Sequence, residues 1–321
     1  MLLYCVVLVA GLGLLVWSAD RFVFGASATS RNLGVPPIVI GLTVVGVGTS
    51  APEILVSAMA AADGNPGLAI GNALGSNIAN IGLVLGATAL VSPIAVRSRS
   101  LRLEFPVMFA VMLLAWLLLA DGRLGVRDGW LLVAAFVALL ALSVWIGLTA
   151  RPNDPIAREM SAEVPLGTPA WRALLWLAVG LALLLASSRL VVWAGVGIAR
   201  ALEVSDLLIG LTIVAIGTSL PELAASLTSV IKKEPDIAVG NVIGSNMFNL
   251  LPVLALPGLI APGEVPPEAL QRDFPVMVAI SIALLITVFA WRGPSRIDRW
   301  EGAMMLLAFL AYQVLLYFSA T

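Results

Sequence analysis

Two glutamates lie deep inside apolar stretches of the sequence, where a charged side chain is costly. Glu53 and Glu222 occur within apolar runs at 36–62 and 206–231. A charge at the centre of a membrane-spanning helix costs about 2.5–3.5 kcal/mol on insertion scales. Both glutamates are too far from the ends of their runs for the carboxylates to reach the interface easily. The two carboxylates are therefore candidates for the centre of a functional site.

Each glutamate directly follows a proline and is preceded by hydroxyl side chains. Pro52 and Pro221 have no N–H, and each ring clashes with the carbonyl four residues earlier, which loosens the helix. Freed carbonyls are tolerated in a spanning helix where they line a polar cavity or bind an ion. Thr49 and Ser50 lie four and three residues before Glu53, so the three side chains can share one face. The second copy repeats this arrangement with Thr218, Ser219 and Glu222.

The apolar run that follows each glutamate carries a polar stripe. Asn72, Ser76 and Asn80 recur every four residues and so lie on one helix face. The same stripe recurs at Asn241, Ser245 and Asn249. Serine and asparagine also hold spanning helices together, but we interpret the serine and the second asparagine of each stripe as ion ligands. The intervening asparagines, Asn77 and Asn246, are expected to point elsewhere.

The candidate site offers only hard oxygen donors, namely carboxylates, hydroxyls, amide oxygens and backbone carbonyls. The 321 residues include no histidine and one cysteine, Cys5, which excludes imidazole ligands, histidine acid–base chemistry, thiolate clusters and an internal disulfide. Oxygen donors suit Na⁺, Ca²⁺, Mg²⁺ or Mn²⁺ and disfavour zinc and copper. A flexible set with bidentate carboxylates favours calcium over the rigid octahedron that magnesium requires.

Ten apolar runs near spanning length position these residues. The composition is 60% apolar and 12% charged, with a mean hydropathy of +1.03, whereas soluble domains are about a quarter charged. We therefore predict an all-α integral membrane protein with ten transmembrane helices, whose first run is a spanning helix because it lacks the positive segment of a signal peptide. The runs lie at 2–24, 36–62, 68–92, 105–120, 129–149, 171–194, 206–231, 237–261, 274–291 and 301–319.

The two halves of the sequence repeat each other. GLTVVGVGTSAPE at 41–53 matches GLTIVAIGTSLPE at 210–222 in 9 of 13 positions. IGNALGSNIAN at 70–80 matches VGNVIGSNMFN at 239–249 in 6 of 11 positions, and the offset is 169 residues in both cases. Repeats of this length indicate duplication of a whole structural unit.

Each predicted unit contains five helices, which is an odd number. The second unit must therefore cross the membrane in the opposite sense, as in the inverted repeats of secondary transporters. We predict a first five-helix repeat over 1–150, a polar cytoplasmic linker over 151–170 and a second, inverted repeat over 171–321.

The basic residues predict the orientation. Thirteen of the 18 arginines and lysines lie at odd-numbered connections between the runs, and five lie at even-numbered ones. By the positive-inside rule the odd-numbered connections are cytoplasmic. Both termini are then expected outside, in a multi-pass protein of the cell membrane.

The two duplicated blocks resemble the paired α-repeats of the cation/calcium exchanger superfamily. The resemblance rests on GTSAPE with GNALGSNIAN and on GTSLPE with GNVIGSNMFN, and the ten-helix layout extends it over the whole chain. It implies calcium held by Glu53, Glu222 and the backbone carbonyls of Thr49 and Thr218. It also implies that the first and sixth helices slide as a pair against the other eight. Sodium or shared ligands are expected at Ser50, Ser76, Asn80, Ser219, Ser245, Asn249 and the carbonyls of Gly46 and Ala215.

One position departs from part of that family. Some relatives, including potassium-dependent ones, carry aspartate where this chain has Asn249, so potassium dependence is not expected and the sodium stoichiometry stays open. We predict an antiporter that exchanges Na⁺ for Ca²⁺ at a midplane site, with no cofactor, no nucleic-acid partner and function as a monomer. The alternatives are an H⁺/Ca²⁺ antiporter on the same fold and, with less support, a cation channel. An enzyme is not expected because no nucleophile–histidine pair exists.

Overall fold

The computed structural model describes residues 1–35, 46–96, 99–149, 167–289 and 296–320. Within these ranges the chain forms ten helices, as the sequence predicts. The start of the second predicted span, 36–45, and most of the predicted linker at 151–170 lie outside the described residues. The helices are α1 (Leu2–Asn32), α2 (Gly46–Thr49 and Ala51–Ala62), α3 (Pro66–Val91), α4 (Arg99–Leu119), α5 (Val126–Thr149), α6 (Ala170–Leu202), α7 (Asp206–Ile231), α8 (Pro235–Ile260), α9 (Ala269–Val288) and α10 (Arg299–Ala320).

Eight of the described helices are long and apolar enough to cross a bilayer. The other two, α2 and α4, contribute shorter apolar segments at Ala51–Ala62 and Glu104–Leu119. With 31 and 33 residues, α1 and α6 are longer than the sequence predicted. At 1.5 Å per residue each spans about 45–50 Å, well above the hydrocarbon thickness of about 30 Å, so each must tilt or extend beyond the hydrocarbon core.

The helices α2 and α7 are each interrupted at one serine. Ser50 has φ −85° and ψ 5°, and Ser219 has φ −83° and ψ 2°, which places both residues near the bridge region. A new helical segment starts directly after each serine, with Pro52 or Pro221 in its first turn. The predicted break therefore occurs in both repeats at equivalent places.

The central helices α3 and α8 both widen into a π-helical turn. The turns are Asn80–Leu85 in α3 and Asn249–Val253 in α8, and each begins at the second asparagine of a polar stripe. A π turn within an α-helix often marks a functional site. Its duplication at positions 169 residues apart extends the internal symmetry from sequence to backbone geometry.

Two short antiparallel strand pairs join the two repeats. Ile94–Ala95 (β1) pairs with Arg296–Ile297 (β4), and Arg123–Leu124 (β2) pairs with Gly263–Glu264 (β3). The first pair joins the third and ninth connections, and the second pair joins the fourth and eighth. Each strand pair thus joins two odd-numbered connections or two even-numbered connections. This pattern fits a chain that changes sides at every helix and whose repeats have opposite topology.

The helices α3 and α8 form the buried centre, and α1 and α6 lie at the periphery. In the most apolar 18-residue stretch of each helix, 78% of the residues of α3 and 72% of those of α8 are buried. The corresponding values are 28% in α1 and 33% in α6. A spanning helix that is buried all round can carry polar side chains without exposing them to lipid. The polar stripes therefore lie where a site at the centre of the molecule requires them.

The peripheral helices α1 and α6 pack backbone against backbone. A Cβ added to Gly25 would overlap the backbone of Leu177, and one added to Gly180 would overlap the backbone of Phe22. Small residues permit such close approach of spanning helices. The pair α1–α6 is consequently held by shape as well as by apolar contact.

Aromatic side chains add contacts at two places along this pair. The rings of Tyr4 and Trp193 lie 4.9 Å apart between centroids. Further along α1, the guanidinium of Arg21 lies 5.7 Å from the ring of Trp17 and 5.1 Å from that of Trp176. Cation–π contacts of this kind stabilise by roughly 0.5–2 kcal/mol. These contacts add to the packing of α1 against α6.

Candidate ion site

The two predicted carboxylates lie in the first turn after the two helix breaks. Glu53 and Glu222 are both fully buried. The flanking residues Thr49, Thr218 and Ser50 are also buried. The breaks therefore bring carboxylate, hydroxyl and backbone oxygens to the same two short stretches of chain.

A chain of hydroxyl groups from both repeats ends on Glu222. Ser50 donates a hydrogen bond to the hydroxyl of Ser245 at 3.3 Å. Ser245 in turn donates to Oε1 of Glu222 at 3.2 Å. Ser50 belongs to the first repeat and the other two residues to the second, so this chain crosses the interface between repeats.

Most carboxylate oxygens in the site have no donor. Among the residues that the structure describes, neither oxygen of Glu53 and not Oε2 of Glu222 has a hydrogen-bond partner. The hydroxyl of Ser219 is also buried without a partner. Buried ionised carboxylates without donors are strongly unfavourable unless a cation balances them or a proton neutralises them. The arrangement is thus chemically suited to bind cations.

Each broken helix is hydrogen bonded to the polar stripe of the opposite repeat. Thr218 Oγ1 donates to Asn72 Oδ1 at 3.1 Å, and Thr49 Oγ1 lies 3.4 Å from Asn241 Oδ1 in the equivalent contact. Ser76 and Thr218 also share a hydrogen bond of 3.3 Å between hydroxyls. These contacts join the threonine of each break to the polar stripe of the other repeat, whereas no such contact is formed by Ser219 or Asn249 among the described residues.

The predicted carbonyl ligands lie one helical turn before the breaks. The carbonyl of Gly46 accepts from Thr49 Oγ1 at 3.1 Å, and the carbonyl of Ala215 lies 3.4 Å from Thr218 Oγ1. The carbonyl of Ala215 also accepts from the backbone N–H of Ser219 at 3.1 Å, so both of its lone pairs are engaged. An ion at Ala215 would therefore have to displace one of these donors.

Asn72 supports the backbone of the first carboxylate. Its Nδ2 lies 3.3 Å from the carbonyl oxygen of Glu53 and 3.0 Å from Oγ of Ser57. The sequence placed Asn72 on the polar stripe but gave no indication of this contact, because Ser57 belongs to an apolar stretch of α2. Asn72 lies on α3. It thus links α3 to α2 through Glu53 and Ser57, and to α7 through Thr218.

The expectation that Asn246 points away from the stripe is wrong. Asn80 Nδ2 donates to Asn246 Oδ1 at 3.1 Å, and both residues are fully buried. Asn77 fits the expectation better, since its Nδ2 donates to Sδ of Met277 on α9. The two asparagines are equivalent in the duplicated sequence, so the sequence carries no signal for this difference.

The family relationship agrees with this geometry. A family model described as "Sodium/calcium exchanger protein" matches residues 3–145 and 172–318. The chain belongs to the sodium/calcium exchanger family. Its relatives in that family are membrane transporters rather than enzymes, and the exchanger fold explains the ten helices and the inverted repeats.

Similar proteins in this family match over nearly the whole chain. A putative antiporter, CaxA of Alkalimonas amylolytica, is 53% identical and covers 99% of this chain and 100% of its own. The sodium/calcium exchanger MaX1 of Methanosarcina acetivorans is 31% identical and covers 97% and 98%. A solved structure of the sodium-calcium exchanger NCX_Mj is 34% identical, covers 98% of both chains and superposes with a TM-score of 0.69.

Proposed function

We propose that this family member is a secondary active antiporter that exchanges Na⁺ for Ca²⁺ across the cell membrane. The observation that carries the proposal is the set of buried carboxylate oxygens without donors, three of the four on Glu53 and Glu222. They lie among serine, threonine and asparagine side chains contributed by both repeats. The names of MaX1 and NCX_Mj support sodium and calcium as the exchanged ions.

The charge of the site accounts for coupled exchange. With both glutamates ionised, one Ca²⁺ neutralises the site, and two Na⁺ do the same. A neutral site can be enclosed away from water at modest cost, whereas two unpaired buried carboxylates cannot. Return of the unloaded carrier is therefore hindered, and transport of one ion requires transport of the other.

The ligand roles follow from position in the breaks. We assign calcium to Glu53, Glu222 and the backbone carbonyls of Thr49 and Thr218. The remaining oxygens hold sodium or are shared between the two ions. These are Ser50, Ser76, Asn80, Ser219, Ser245, Asn249 and the carbonyls of Gly46 and Ala215. Movement of α1 with α6 across the other helices would expose this site to one side of the membrane at a time.

A single transport experiment separates this function from its alternatives. Purified protein in liposomes is loaded with Na⁺, or with acid at equal ionic strength, and uptake of radiolabelled calcium is followed after dilution. Exchange with sodium predicts rapid uptake under an outward sodium gradient only. Uptake under the proton gradient alone would establish H⁺/Ca²⁺ antiport instead. Calcium uptake that requires no counter-ion would indicate a channel.

A further inference from the structure

The buried asparagines around the site are not equally constrained. Asn80 has its Nδ2 fixed by Asn246 Oδ1 at 3.1 Å. Its own Oδ1 is buried and has no partner within the described part of the chain. Since an amide group is planar, fixing the nitrogen fixes the direction of the oxygen. The free oxygen of Asn80 is thus oriented before any ion arrives.

The equivalent asparagine of the second repeat lacks this support. Asn249 is fully buried, yet neither its Oδ1 nor its Nδ2 has a partner in the described structure. The residue that would hold it by symmetry is Asn77, which instead donates to Met277 Sδ at 3.3 Å. The internal symmetry is therefore broken at this pair.

We propose that Asn246 is a positioning residue that holds the side-chain carbonyl of Asn80 toward the transported cation. The two repeats consequently present unequal asparagine ligands, one held in place by a hydrogen bond and one without such a bond. An oriented ligand costs less entropy on binding than a mobile one. Asn246 acts through Asn80 and does not itself contact the ion. This inference rests on the proposed function, because it requires a cation in the site.

The relevant test is a double-mutant cycle on cation binding by the purified full-length protein. Binding of radiolabelled calcium, and its competition by Na⁺, are measured for Asn80→Ala, Asn246→Leu and the double variant. Leucine is close to asparagine in shape but has no acceptor for Asn80. Asn246→Leu should weaken binding of the ion that Asn80 contacts roughly three- to tenfold, the effect of one oriented hydrogen bond. The same substitution should have no further effect once Asn80 is alanine.

The second repeat provides the matched control. Asn77→Leu is combined with Asn249→Ala in the same way, and these two effects should be independent because the residues share no hydrogen bond. If Asn246→Leu does not yield folded protein, Asn246→Ser also removes the acceptor from the reach of Asn80 and is used in the same cycle.

Two different failures can be told apart. An effect of Asn246→Leu that persists in full in the Asn80→Ala background would show a merely structural role and overturn the proposal. An Asn80→Ala variant with unaltered binding of both ions would overturn it as well. Wild-type protein whose calcium binding is not competed by sodium would instead reject the proposed sodium exchange.

Discussion

Glu53 and Glu222 occupy equivalent positions but differ in their hydrogen bonds. Ser245 donates to Glu222, while no described residue donates to Glu53. A third buried carboxylate, Asp273, contrasts with both, because Arg272 and Tyr312 bind it at 2.6 and 2.8 Å. Burial alone therefore does not mark a carboxylate as a candidate ion ligand. Asp273 is paired within the protein, whereas three of the four carboxylate oxygens of Glu53 and Glu222 have no partner in the described structure.

Neutralising either site carboxylate should abolish most calcium transport. Glu53→Gln and Glu222→Gln each remove half of the counter-charge, so we expect sodium-driven calcium uptake to fall at least about tenfold, as for loss of one strong ionic contact. Uptake into proteoliposomes checks this directly. Wild-type rates in either variant would contradict the two-carboxylate site.

The matched control for these variants is Asp273→Asn. Asp273 is equally buried but already paired, so its neutralisation should lower thermal stability while calcium still stabilises the folded protein. If Asp273→Asn abolished the effect of calcium and the glutamine variants did not, the assignment of the site would be wrong.

At the scale of the helices, the pair α1–α6 depends on two glycines at one close approach of the two backbones. Together with the aromatic contacts, this approach packs the two helices into one unit. The proposed movement requires that this unit remain intact while its contacts with the other helices change. Substitution of the glycines tests whether this unit depends on close packing to remain intact.

Gly25→Ala and Gly180→Ala should each destabilise the protein by about 1–3 kcal/mol, the usual cost of overpacking. In both cases the new methyl group meets backbone, which cannot rotate away. Gly13→Ala, on the same α1, is the control because a Cβ there meets nothing within 4 Å. Thermal unfolding in detergent gives the comparison, and equal melting temperatures for all three variants would refute the close crossing.

The helices and their breaks could be predicted from the sequence, but the contacts between distant helices could not. The prolines predicted both breaks, and the apolar runs predicted ten helices, because these depend on local chemistry. The contact of Asn246 with Asn80 and that of Asn72 with Ser57 depend on how helices from distant parts of the chain interdigitate. Duplicated residues such as Asn77 and Asn246 look identical in sequence, so only the packing distinguishes them.

At the scale of the whole molecule, the strand pairs and the basic residues bear on topology. The strand pairs join connections of equal parity, which fixes their shared side but not which side of the membrane it is. The distribution of arginine and lysine predicts that the odd-numbered connections, and with them the linker at 151–170, face the cytoplasm.

This orientation can be measured by cysteine labelling in intact cells. In a Cys5→Ala background, Glu163→Cys in the predicted linker should be protected from an impermeant thiol reagent until the cells are broken. Glu264→Cys, in β3 at an even-numbered connection, is the control and should be labelled from outside. The reverse pattern would invert the orientation of the protein.

The glycine contact between α1 and α6 also has a consequence for biosynthesis. The first helix leaves the ribosome long before its partner, which begins only at Ala170. At about 5–20 residues per second, α1 waits on the order of 10–30 seconds in the bilayer with its small-residue face against lipid. It must therefore be inserted stably as a single helix, which its length and apolar composition permit. Packing of α1 against α6 is then a post-insertion event that depends on synthesis of the second repeat.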